Sequence, residues 1–178
     1  ISLPALQLVA WRMALVVGVL LVVRRTWGGL RAMSLRSIVI FLGIGCVVAG
    51  HWYAFYTSIK ISKASDAVSC LGLGSIFAAI IEPVLMRSPH EGAELFLGVL
   101  AVPGVVLIVG GVPLQMRLGI VIGVVAALLS AIFTTLNKRF ATNNDPFSIT
   151  CIEMAAGVVV LGIPAILSGL TMPTPMDA

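Results

Sequence analysis

Residues 38–86 decide the fold. Ile38–Ile59 reads IVIFLGIGCVVAGHWYAFYTSI, and Ala67–Met86 reads AVSCLGLGSIFAAIIEPVLM. A short polar turn, Lys60-Ile61-Ser62-Lys63-Ala64-Ser65-Asp66, joins them. Each run has about the 20 residues that cross a hydrocarbon core roughly 30 Å thick. Lipid leaves backbone groups no outside partner, so runs of this length are helices. Strands of a membrane barrel would be about half as long and would alternate in polarity. The stretch therefore reads as a membrane-spanning helical hairpin. Two ionisable groups, His51 and Glu82, lie inside its apolar sequence.

Working outward, the same pattern recurs. The expected spans are Pro4–Val23, Ser37–Ile59, Asp66–Met86, Glu94–Gly111, Leu118–Leu136 and Phe147–Leu170. The 178 residues are 60% hydrophobic and 10% charged, and mean hydropathy is +1.14. Soluble domains carry about 25% charged residues. The class is an all-α, polytopic membrane protein, a bundle of six spans. The net charge of +4 does not imply nucleic acid, because the basic residues sit in loops and form no stripe. Cys46, Cys70 and Cys151 all fall in apolar runs without close spacing, which argues against a disulfide framework or a metal site and for buried, inert thiols.

Loop charge sets the orientation. Arg24, Arg25, Arg31, Arg36, Arg87, Lys138 and Arg139 lie in loops 24–36, 87–93 and 137–146, on one side. Lys60, Lys63 and Arg117 lie on the other. Seven against three assigns the first side to the cytoplasm. The chain then starts outside without a signal peptide, which reads as a segment of a longer membrane protein. Pro83, Pro103-Gly104 and Pro164 are expected to kink their helices. Gly119, Gly123, Ala127 and Ala131 form one small-residue face, and Ala10, Ala14 and Gly18 another. Such faces let helices approach closely in lipid.

The first and sixth spans resemble each other. Each opens on a proline, Pro4 or Pro146, and each carries a charge seven or eight residues later, Arg12 or Glu153. Met-Ala and small apolar residues follow in both. They stand five spans apart in the order, and an odd offset reverses direction. An inverted-topology repeat of this kind is characteristic of secondary transporters, whose sites lie near the midplane between the halves.

These features resemble the EamA-type transporters of the drug/metabolite transporter superfamily. The residues that carry the resemblance are Pro4…Arg12, the His51–Ser65 stretch, the third span and Pro146…Glu153. The resemblance implies ten helices in two inverted five-helix repeats. This chain would supply helices two to seven, with residues 1–113 most of the first repeat and 114–178 the start of the second. One departure falls at Ser88-Pro89-His90-Glu91, where the family often places an acidic residue. The resemblance implies export or exchange of small metabolites or drugs across a bacterial inner membrane. It leaves room for a coupled proton or other ion, and for a homodimer. It implies no cofactor.

Six residues are candidates for a substrate or ion path. Arg12 lies about 12 Å into its span and Glu153 about 10 Å into its own, depths at which a charge is costly and usually faces the protein interior. The alternatives are a structural ion pair or a side chain reaching outward. His51 lies among Trp52, Tyr53, Phe55 and Tyr56. It suits a proton relay or simple packing within an interfacial aromatic belt. Glu82 stands about one turn from Arg87, and pairing or solvation at the helix end competes with a role in transport. Lys60, Lys63 and Asp66 read as a solvated external turn, and the glycines of Leu71–Ser75 as points of close helix approach. No Walker A sequence occurs, nor His-Glu-x-x-His or Gly-x-Ser-x-Gly, which weighs against ATP use and against a membrane-embedded enzyme. A structural or assembly role without transport is the alternative reading.

Overall fold

The computed structural model describes residues 3–87, 92–111 and 113–169. Those residues are helical, with no strand among them. The elements are α1 (Ala5–Val22), α2 (Arg24–Ala32), α3 (Leu35–Ile61), α4 (Ala64–Leu71), α5 (Gly74–Met86), α6 (Gly92–Gly111), α7 (Arg117–Phe140) and α8 (Pro146–Leu167). Short 3-10 turns at Leu114–Met116 and Ala141–Asn143 flank α7. Five helical stretches are long and apolar enough to cross a membrane: Ala5–Val22, Leu35–Ile61, Ala64–Met86, Leu114–Phe140 and Pro146–Leu167. The chain is thus an all-α, multi-pass membrane protein. Helix α6 occupies the place of the remaining expected span, and its apolar segment Gly98–Leu107 is shorter. The departure noted at Ser88–Glu91 lies outside the described residues, as does Leu170.

Local chemistry explains the helix ends. Ser34 Oγ accepts from the Ser37 N–H at 3.1 Å and caps α3. Asp145 caps α8 by accepting from the Ser148 N–H at 3.2 Å, and Pro146 takes the first helical position, where its missing N–H costs nothing. Pro4 stands one place earlier, at the N-cap of α1. Gly169, at φ 82°, supplies the left-handed turn after α8.

Two expectations change. The segment 24–36, read as a loop, contains the nine-residue helix α2. Its buried side carries Thr26, while Arg24, Arg25 and Arg31 are exposed. The third span, Ala64–Met86, is tightened where α4 ends at Leu71 and α5 begins at Gly74: Gly72 and Leu73 keep right-handed helical angles. The Gly72 and Leu73 N–H groups bond back only three residues, to Ser69 and Cys70, at 3.1 and 3.0 Å. By contrast α5, α6 and α8 stay helical through Pro83, Pro103 and Pro164. The tightened turn falls at glycine.

The chain packs as two units. The first comprises Ile1–Ala49 and Phe140–Ala178, the second Gly50–Arg139. They cut across the segments 1–113 and 114–178, which rest on a different criterion, the repeat.

In the first unit α1 and α8 pack antiparallel. Near one end Gln7 Nε2 donates to the Gly169 carbonyl at 3.0 Å. Past the other end, Arg25 Nε meets Asp145 Oδ1 at 2.5 Å and Ser148 Oγ donates to the Thr26 carbonyl at 3.0 Å. Helix α2 lies close on the start of α8, because a β-carbon at Gly29 would stand 2.0 Å from Ser148 Oγ.

In the second unit the small face of α7 is a packing face, as expected, and Gly119, Gly123, Ala127 and Ala131 are all buried. A β-carbon at Gly119 would lie 2.8 Å from Ser62 Cβ, and one at Gly123 2.9 Å from Ser58 Oγ. Ser58 Oγ donates to the Gly119 carbonyl at 2.7 Å. In the first span only part of the corresponding stripe is covered. Ala10 is buried, whereas Gly18 meets nothing within 4 Å.

Candidate functional site

Glu153 is the buried charge of the first unit, 5% exposed. Three helices build its surroundings. Helix α8 carries it seven residues after Pro146. Helix α3 presents Gly45, where a β-carbon would fall 2.5 Å from the Glu153 carbonyl oxygen, 2.7 Å from its Cα and 2.8 Å from Ala156 Cβ. The α3 backbone therefore lies directly on the α8 backbone at this level. Helix α1 meets α8 one turn further on, where Met13 Sδ would be 2.3 Å from a β-carbon at Gly157. Phe41, Ile44, Val48 and Ala49 on α3, and Val9 and Ala10 on α1, are buried in the same unit. A carboxylate enclosed this way sits in low-dielectric surroundings, where interaction with a cation or a hydrogen-bond donor is much stronger than in water.

Arg12 is in the same unit but on a different side of its helix. It is exposed, whereas its neighbour Met13 is buried. Rise along the helix gave its depth, not its azimuth.

The other candidates fall in the second unit. His51 is buried, and its Nδ1 donates to the Ala126 carbonyl at 2.8 Å. A carbonyl only accepts, so this bond fixes the proton on Nδ1. The ring stacks on Phe55 at 6.3 Å and meets Trp52 and Phe133 edge-on at 5.3 and 5.4 Å. Trp52 also stacks with Tyr56 at 6.1 Å. Tyr53 is exposed on the opposite side of α3 and stands apart from this cluster.

Glu82 is paired with Lys138 at the end of α7, not with Arg87. Five residues turn a helix about 500°, so Arg87 lies about 140° around α5 from Glu82. Arg87 also leaves the helix, at φ 55°. Beside the pair, Arg139 Nη1 donates to the Leu85 carbonyl at 2.5 Å, one of the carbonyls left free at the α5 terminus.

Several buried polar groups escaped the sequence reading. Gln7, Thr26, Ser58, Asp66, Thr135 and Ser148 are all buried. Asp66 corrects the solvated turn: it lies in the first turn of α4, 8% exposed, and its Oδ2 makes no hydrogen bond among the described residues. Gln7 was open to notice as an amide inside an apolar run. Cys46 corrects the inert thiols, being exposed, while Cys70 and Cys151 are buried. Among the described residues no three His, Cys, Asp or Glu side chains gather to hold a metal.

Comparison with protein-family models, curated proteins and solved structures finds no match for this chain.

Proposed function

We propose that the protein is a secondary transporter that exports or exchanges small metabolites by alternating access, in the manner of the EamA-type family its sequence resembles. The observation that carries this reading is the burial of Glu153 about a third of the way along α8, against the α3 backbone and beside antiparallel α1. Ionisable groups inside membrane helices are expensive and mark ion or substrate pathways. In this reading Glu153 binds a cationic group of the substrate or a coupled proton. The six crossings, the inverted repeat and the inner-membrane location belong to the same proposal.

The test begins by comparing metabolites between cells with and without the full-length protein. Flux of the metabolite that changes is then measured in proteoliposomes. Glu153→Gln keeps the shape and removes the charge. It is expected to abolish flux at unchanged membrane level and thermal stability. Normal flux through Glu153→Gln would refute the role of the carboxylate. A protein that moves no metabolite in either assay would favour a structural or assembly role.

A further inference from the structure

We propose that the exposed face of α2 is a binding surface for anionic phospholipid headgroups. Arg24 and Arg31 are the phosphate contacts. Their spacing of seven residues puts them on one side of the helix, about 10 Å apart along it. Gly28 lies between them on that side, and a β-carbon there would meet nothing within 4 Å. The two guanidinium groups thus flank an open notch in which a phosphate can approach the helix.

Charge makes the surface specific. Residues 23–36 contain four arginines and no Asp or Glu. Asp145, the acid bonded to this helix, is taken by Arg25, whose guanidinium also lies 5.4 Å over the Phe147 ring. Arg24 and Arg31 are exposed, and neither has an ion pair among the described residues. Arg24 opens α2 and Arg36 stands in the first turn of α3. Cations are disfavoured at helix N-termini, and an anion is favoured there. Arg31, in the last turn of α2, suits its helix end; Arg24 does not, and a lipid phosphate beside it would offset the unfavourable placement.

The flanks match the headgroup level. Val22 and Leu35, on either side of α2, are 83% and 77% exposed apolar side chains. Trp27 is held in place by its indole N–H, which donates to the Leu21 carbonyl at 2.8 Å, while its ring stays half-exposed. Tryptophan at this depth is an interfacial anchor. The contacts to α8 through Gly29, Thr26 and Arg25 hold α2 against the bundle with its basic face outward.

The experiment is native mass spectrometry of the whole protein released from nanodiscs of mixed phosphatidylglycerol and phosphatidylcholine. The parent is expected to retain phosphatidylglycerol preferentially, and less so at high salt, since exposed charges are screened. Each arginine contributes about fivefold, so Arg24→Gln with Arg31→Gln is expected to lower the preference roughly 25-fold. Lys63→Gln is expected to leave it unchanged. Gly28→Leu keeps the charges, favours the helix and fills the notch, and is also expected to lower retention. It decides the question should the double variant fail to fold. Unchanged phosphatidylglycerol retention in a folded double variant, or in Gly28→Leu, overturns the proposal. Complete displacement of the lipid by equimolar inorganic phosphate overturns it in favour of a free-anion site.

Discussion

Gly45 and Glu153 touch backbone to backbone: a β-carbon on Gly45 would stand 2.5 Å from the Glu153 carbonyl oxygen. The contact leaves no room for any other residue on α3 at this level. Gly45→Ala must push α3 away from α8, and neither backbone can yield as a flexible side chain would. Overpacking of this kind costs about 1–3 kcal/mol. Gly45→Ala is expected to lower thermal stability in detergent, whereas Gly43→Ala, with nothing within 4 Å of the added carbon, is not. Equal melting temperatures for both would show that the helices do not approach here.

Adjacent glycines in α2 should behave oppositely. A β-carbon at Gly29 would lie 2.0 Å from Ser148 Oγ and 2.8 Å from Asp145 Cβ, but one at Gly28 is unobstructed. Gly28→Ala is expected to be neutral or stabilising by up to about 1 kcal/mol, the helix-propensity difference. Gly29→Ala is expected to loosen α2, read as faster proteolysis at Arg24 and Arg25. Cleavage that rises equally in both variants would separate α2 from α8.

The Arg25–Asp145 pair predicts a pH dependence. Partial burial pushes the Asp145 carboxyl up, but hydrogen bonds from Arg25 and Ser148 outweigh it and hold the carboxyl below its ordinary value. The folded state therefore favours the ionised form. The stabilisation is complete above the unfolded carboxylate value, about 3.9, and is lost as pH falls through the lower folded value. Melting temperatures of the parent and Asp145→Asn should differ at neutral pH and converge at strongly acidic pH. A constant difference across the range would count against the pair.

Thiol chemistry checks the helix faces and the topology together. Cys46 is expected to react with a maleimide in detergent well before Cys70 and Cys151, which are buried. In a variant without these cysteines, Lys63→Cys is expected to be labelled from outside the cell and Ser34→Cys only after permeabilisation. Lys63 is the better external probe than Ser62, whose β-carbon is packed at Gly119. The reverse labelling pattern would invert the orientation drawn from loop charge.

Hydropathy made the helix ends legible. The expected first, second and fifth spans match α1, α3 and α7 to within a few residues. What it could not show is azimuth and partnership. Arg12 and Glu153 were equally deep by helical rise, yet one is exposed and the other buried, because rotation about the axis depends on what each helix packs against. Lys138 stands 56 residues from Glu82, a pairing no local spacing reveals. Helix α2 reads as a loop because its nine residues, with two glycines and three arginines, are too short and too polar for a span, although its polar and apolar faces do separate with helical period.

The α3–α7 seam has a consequence for how the sequence can drift. Gly119 and Gly123 meet Ser62, Ser58 and Cys70 with no space for a β-carbon. Glycine has no smaller replacement, so every random change at these two positions adds atoms to a filled gap. At Gly123 relief comes from across the seam, by loss of the Ser58 hydroxyl together with a shift of Cys70; at Gly119 the nearest atoms are Ser62 Cβ and its backbone nitrogen, so the backbones themselves must separate. Loss at Ser58 also gives up its bond to the Gly119 carbonyl. Variation along this line of contact is therefore one-directional and coupled: α7 cannot change first, and α3 and α4 must make room before it does.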